Sequence, residues 1–300
     1  DTLLPTANGF VFTSSSNMSF TNSYIRVAGS YGINVTDGQN SIVTGNDISE
    51  PTAAAIYFTN ASGSEFSDND LVTTGYGLYA SNAGGSIASG NTIFTGYGGA
   101  TIDMPNCDNC EIDGNSITGP PVGLQGGYTT MGPSGGISSS NSDNAIISNN
   151  VMDVSSYGIS ATNSNGITIE YNHATHFWGT GIDFNNSANS IIRYNRLIGG
   201  EYSSQGIYNG ASNQNAVVSN NYIQISAAGY YAHDRSIFGL IVHDSVIEED
   251  TLLVTNSGHD QDTGGILADR STIRGNVVNV NDSNSGWNKY GRAIQSYGDE

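Results

Sequence analysis

The sequence predicts an all-β solenoid of about 11–12 coils, each built from three short strands, and three observations carry that expectation. The phrase YGINVTDGQNSIVTGNDI at 31–48 returns as YGLYASNAGGSIASGNTI at 76–93 and as YGISATNSNGITIEYNHA at 157–174. Within each phrase apolar residues alternate with polar ones, the period of a strand. Gly, Asn and Ser punctuate them every few positions, and no stretch holds a long helical apolar period. A copy this short cannot bury a core alone, so copies must stack.

The first strand of each coil is expected around Ile33, Ile56, Leu78, Ile102, Ile137, Ile159, Ile182, Ile207, Leu240, Ile266 and Ile294. The second is expected around Val43, Phe66, Ala88, Ile112, Ile147, Ile169, Ile192, Val218, Ile247 and Ile273. Three residues later comes a recurrent asparagine: Asn22, Asn46, Asn69, Asn91, Asn115, Asn150, Asn172, Asn195, Asn221 and Asn276, with Asp250 as a substitute, mostly 22–24 residues apart. Two residues on, the third strand carries Ile48, Leu71, Ile93, Ile117, Met152, Ala174, Leu197, Ile223, Leu252 and Val278. Asparagine tolerates the left-handed conformation a corner needs, and its amide can bond the same amide in the next coil. Asp250 keeps the shape but lacks the amide donor, which weakens the ladder there.

This GI-x-V…N-x-I…N-x-I pattern resembles the right-handed parallel β-helix repeat of pectate-lyase-like, NosD-like and tailspike-type proteins, over nearly the whole chain. The resemblance implies one continuous solenoid over 1–300. It implies no activity, because lyases, hydrolases, epimerases and inert surface proteins share the fold. A polygalacturonase-like set would need Asn-Thr-Asp and Asp-Asp runs beside Gly-His-Gly, and only SGHD at 257–260 comes near. Pectate-lyase-like Arg and Ca²⁺ clusters and the alginate-epimerase-like Asp-Pro-His-Glu run are absent.

With 27 acidic residues, seven Arg and the single Lys289, the chain carries a net charge of −19. Nucleic acid and anionic membranes are poor partners for such a surface. No apolar run reaches membrane-spanning length. Cys107 and Cys110 form the only cysteine pair, with no second pair to complete a zinc site, so a local disulfide or two free thiols is expected. Sequons at Asn17, Asn34, Asn60, Asn185 and Asn281 point toward an extracellular, cell-surface or virion setting.

Links between third and first strands swell along the chain, at 118–135, 198–205, 224–236, 255–264 and 281–291. They leave the same corner and should wall the first-strand sheet. Outward residues of that sheet form a row: Asn34, Tyr57, Tyr79, Asp103, Ser138, Ser160, Asp183, Tyr208, Ile241, Leu267 and Gln295. Tyrosines beside carboxylates suit sugar rings, so Tyr57, Tyr79, Asp103, Trp178, Tyr208 and His243 are candidate glycan contacts. Tyrosine is also an ordinary strand residue on any surface.

Glycoside hydrolysis needs two carboxyls about 5–9.5 Å apart. Asp103 and Asp183 lie at least three coils apart, so roughly 14 Å or more by the strand spacing. Asp183 is therefore the central candidate, with Glu201 or Asp234 as second carboxylate and His176 or His233 as acid–base partner. The densest polar grouping joins these to His173 and His243, although His173 shares a register with Arg196 and His176 falls on an inward register. Asp47 and Asp70 stack in equivalent positions, either as two solvated acids or as a Ca²⁺ pair. No other cofactor is implied. Two functions of different class remain open. One is a protein that binds a neutral polysaccharide along the first-strand face, with cleavage of a glycoside-hydrolase or polysaccharide-lyase type left open. The other is a non-catalytic solenoid of a sheath, envelope layer or fibre that associates end to end, covering its open strand edges.

Overall fold

Alternating apolar residues with corners every few positions give three parallel sheets and no helix among the described residues. The computed structural model describes residues 2–3, 8–96, 99–119, 124–125, 128–129, 135–200, 205–210, 215–227, 237–256, 263–282 and 291–297. The chain falls into two compact units, residues 1–154 and 155–300.

In residues 1–154 the first-strand sheet runs through Phe10–Thr13, Tyr31–Thr36, Ala54–Thr59, Tyr76–Ser81, Ala100–Asp103 and Gly135–Ser138. Second strands such as Glu65–Ser67 and third strands such as Asp70–Thr73 stack in the same way, each pairing in parallel with its counterpart one coil away. Ile33, Ile56, Val43, Phe66, Ile48 and Leu71 point inward and are fully buried, each contributing about 1.5–3 kcal/mol relative to an exposed position. Residues 155–300 repeat the plan with first strands Ile159–Ser160, Thr180–Asp183, Gln205–Asn209, Ile237–His243, Thr263–Asp269 and Gly291–Tyr297. Here too Ile182, Ile207, Ile192, Val218, Leu197 and Ile223 are buried. Ile294 keeps its expected register opposite Ile266 but is 49% exposed, with no described strand stacked on its far side.

The glycine of the opening phrase has a steric cause. A methyl carbon placed on Gly32 would lie 2.4 Å from Ile48 Cγ2 and 2.6 Å from the Ala55 carbonyl oxygen. At Gly206 it would lie 2.3 Å from Ile223 Cγ2. The first strand passes so close to the third-strand aliphatic of its own coil that only hydrogen fits.

The asparagine ladder is present in both units. Nδ2 of Asn46, Asn69, Asn91 and Asn115 donates to Oδ1 of the next asparagine, as far as Asn150, at 3.0, 2.9, 2.9 and 2.9 Å. In residues 155–300 Asn172 reaches Asn195 at 3.1 Å, Asn195 reaches Asn221 at 3.0 Å, and Asn221 reaches Asp250 at 2.9 Å. Two details differ from the sequence expectation. The left-handed residue is the one before each ladder position, as at Gly45, Asp68, Gly90, Gly114 and Asn149. Asn22, with φ 50°, belongs to that left-handed column, and Ser23 takes the ladder register, its N–H donating to Asn46 Oδ1 at 3.1 Å. The ladder residues from Asn46 to Asp250 are buried, because their side chains must turn inward to reach both neighbours.

Candidate functional site

The outward row of the first-strand sheet is real in residues 1–154. Asn34 pairs with Tyr57, Tyr57 with Tyr79, Tyr79 with Asp103 and Asp103 with Ser138. The rings of Tyr57 and Tyr79 are stacked 4.7 Å apart at 9°. Tyr31 lies 5.0 Å from Tyr57 at 52°, and Tyr76 meets Tyr79 edge-on at 5.5 Å. Burial, followed by Tyr79, Tyr31 and Tyr76, pushes the Tyr57 hydroxyl pKa up. That of Tyr76 is raised by burial and then by Asp103 and Tyr79. Burial also raises the Asp103 carboxyl, opposed by a hydrogen bond with Ser138.

Tyr31 and Tyr76 were not legible as part of this face. Strict alternation would place them opposite Asn34 and Tyr79, but the strand pattern at Tyr31–Thr36 buries Gly32 and Ile33 in succession. The steric demand at the glycine breaks the alternation and turns the preceding tyrosine outward. A Tyr-Gly-aliphatic opening, as at Tyr76-Gly77-Leu78, is the signal that would have found it. The expected use of the rings is also modified. Tyr57 and Tyr79 cover each other's faces, so the surface presents ring edges and hydroxyls beside a carboxyl. Such a surface exchanges hydrogen bonds with a ligand rich in hydroxyls and offers flat apolar area only at its margins.

In residues 155–300 the row continues as Ser160, Asp183, Tyr208 and Ile241 in register. Asp183 is half-buried, its Oδ1 accepts the Asn185 N–H at 3.0 Å, and burial raises its pKa against that bond. Thr180 Oγ1 donates to Gln205 Oε1 at 3.1 Å next to it. Tyr208 folds its hydroxyl over Gly210, where a methyl carbon would lie 2.3 Å away. Trp178 is half-buried and its ring borders Gly200. Glu201, His233, Asp234 and Tyr230 lie outside the described residues, as do most of the swollen links.

The described histidines, His173, His176 and His243, do not converge on Asp183. His173 stands on the third-strand sheet, where Arg196 Nη1 lies 3.1 Å from its Nε2 and Arg196 stacks 5.1 Å from the Tyr222 ring. Burial and then Arg196 push the His173 pKa down. His176 is exposed at a corner with φ 61°, a correction to its inward register, because the left-handed turn there points its side chain outward. His243 pairs across strands with Asp269, Nδ1 to Oδ2 being 3.7 Å, and Arg270 shares that carboxylate at 2.8 Å. Asp47 and Asp70 are register neighbours, both exposed, with Asp47 raised by burial and then by Asp70. Cys107 and Cys110 are free, buried thiols at a corner. Hydrogen bonding to Cys110 and burial hold the Cys107 thiol far above the usual range.

Comparison with known proteins gives the fold a context. The family described as "Right handed beta helix region" matches residues 5–134, and that described as "Periplasmic copper-binding protein (NosD)" matches residues 70–291. Among solved structures, the Dettilon tailspike protein is similar at 14% identity and TM-score 0.56, over 88% of this chain and 60% of that one. The chain thus spans about three fifths of the tailspike's length. Endo-xylogalacturonan hydrolase from Aspergillus tubingensis is similar at 10% identity and TM-score 0.56, over 96% of this chain and 92% of that one. No curated protein sequence matches.

Proposed function

The chain belongs to the NosD family of right-handed β-helix proteins, and from that premise we propose that it binds a neutral polysaccharide along the tyrosine-lined first-strand face of residues 1–154. The observation that carries this reading is the cluster of Tyr31, Tyr57, Tyr76 and Tyr79 converging beside Asp103. The phenols repeat at the coil spacing, so an extended polymer of hydroxyl-bearing rings lying along the coils would meet a fresh donor and acceptor at each step. The net charge of −19 repels polyanionic chains and leaves neutral ones the better fit. A tailspike and a polysaccharide hydrolase among the similar folds agree with a glycan partner. The family description and these neighbours favour an extracellular or periplasmic setting. Among the described residues, no helix is long and apolar enough to cross a membrane.

Binding without cleavage is the reading the described residues support. Burial raises the Asp183 pKa and the Asn185 N–H opposes it, and these are the influences on it, with no second acid or imidazole among them. The family description names copper, and the described residues fit it poorly. Among the described residues no three of His, Cys, Asp and Glu come together, His173 faces a guanidinium, and the two thiols are sealed in the core.

A panel of immobilised neutral and uronate-bearing polysaccharides tests the reading. Retention on neutral chains that is lost in Tyr57→Ala/Tyr79→Ala supports it. Retention on none sinks it and moves the weight to a structural solenoid.

A further inference from the structure

The ladder of residues 155–300 changes chemistry at one rung. Asp250 lies in register between Asn221 and Asn276 and is fully buried. Its Oδ1 accepts the backbone N–H and the Nδ2–H of Asn221 at 2.7 and 2.9 Å. Its backbone N–H donates to Asn276 Oδ1 at 2.8 Å. Its Oδ2 has no hydrogen-bond partner. In an asparagine rung the equivalent atom is an amide nitrogen with two acceptors around it. Asn221 Nδ2, for example, donates to the Ile192 carbonyl at 3.0 Å and to the next rung at 2.9 Å. Carried one coil on, those acceptors are the Val218 carbonyl and Asn276 Oδ1. An ionised carboxylate would therefore set Oδ2 against oxygen lone pairs, in a place closed to water. A protonated one supplies the missing donor.

We propose that Asp250 is a proton-dependent rung: as the neutral acid its Oδ2–H completes the ladder, and loss of that proton to solvent loosens the described part of the coil that follows, residues 251–256 and 263–282. No other bond changes. The charged groups at this corner are Glu248, Glu249 and Arg274. Arg274 is already held by Glu248 at 2.5 Å, so its charge is engaged elsewhere. Burial, with a smaller push from Glu248, raises the Asp250 carboxyl to about 7, against the two Asn221 bonds that favour the anion. The unfolded carboxyl titrates near about 3.9. The folded value being the higher, the stabilisation is complete below about pH 4 and shrinks about tenfold in equilibrium constant per pH unit as the unfolded chain alone ionises. It levels off above about pH 7.

Hydrogen exchange at the Val277 amide, which donates to the Asp250 carbonyl at 2.8 Å, reads this rung directly. After correction for intrinsic exchange, its opening equilibrium should rise about 50-fold from pH 5 to pH 7 in the wild-type chain and flatten beyond. In Asp250→Asn, which restores the amide donor, the rise should vanish. Equal slopes in the two chains would overturn the proposal. So would a carbon-13 carboxyl titration of the intact wild-type chain that places Asp250 among ordinary surface aspartates, a measurement that depends on no variant.

Discussion

Asn91→Ala probes the ladder where its geometry is most complete. Asn91 Nδ2 donates to the Phe66 carbonyl at 2.9 Å and to Asn115 Oδ1 at 2.9 Å. Its Oδ1 accepts the backbone N–H and the Nδ2–H of Asn69 at 3.0 and 2.9 Å. Alanine keeps only the backbone N–H to Asn115 Oδ1. Asn69 Nδ2 retains the Val43 carbonyl, so it is not stranded. The Asn69 N–H loses the group that reaches it, in a corner where Asn91 is 1% exposed, while the Phe66 carbonyl stays within the ladder that pairs its strand with Ile87–Ser89. At about 1–3 kcal/mol for a buried polar group left short, the loss is about 1–3 kcal/mol. Urea unfolding followed by circular dichroism, with an unchanged slope as the check on cooperativity, measures it. Asn91→Asp should lose less at pH 5 than at pH 8, because only the protonated acid replaces the donor. A loss below about 1 kcal/mol for the alanine variant would mean that the ladder is an accompaniment of the corner and not a support.

Gly90→Ala should cost about 1–2 kcal/mol, since φ there is 63° and the new carbon would sit 2.5 Å from Asp68 Oδ1; an unshifted urea midpoint would contradict this. Cys107 and Cys110, both free and buried, with the Cys107 pKa pushed up, should resist iodoacetamide at pH 8 until the chain unfolds, and stoichiometric labelling of the native protein would contradict their burial. Asp183→Asn keeps the acceptor for the Asn185 N–H while removing a carboxyl whose folded pKa is raised by burial. Wild-type stability falls as pH rises through that raised value, so the variant should gain on the wild type at pH 7 relative to pH 4; a difference independent of pH would show that Asp183 is solvated.

The coil plan was open to reading because it repeats. Inward aliphatics, corner glycines and the ladder from Asn46 to Asn150 recur at a fixed step, and stacking turns a weak local pattern into a long-range one. What escaped was local. Asn22 and Ser23 are adjacent polar residues, and only the hydrogen bond to Asn46 tells which one enters the ladder. Tyr31 and Tyr76 escaped because a glycine interrupts the two-residue period just beside them. Tyr171 and Tyr194 occupy left-handed corners that elsewhere hold Gly, Asn, Asp or Glu, and their rings stack 5.0 Å apart. Neither was visible from residue preference, which disfavours bulky side chains there. The proposed grouping around Asp183 was weaker from the start, because sequence proximity along a solenoid says little about which sheet a side chain leaves. His173 and His243 illustrate this, each being engaged by a cross-strand neighbour.

Calorimetric titration of an extended neutral oligosaccharide into the intact chain tests the proposed glycan face most directly. The wild-type chain should bind, Asp183→Asn should bind equally, and Tyr57→Ala/Tyr79→Ala should lose about tenfold or more in affinity, roughly 1.4 kcal/mol. Equal affinity in the tyrosine double variant and the wild type, or heat from acidic chains alone, would contradict the assignment of the Tyr31–Tyr57–Tyr79–Asp103 face as a neutral-glycan site.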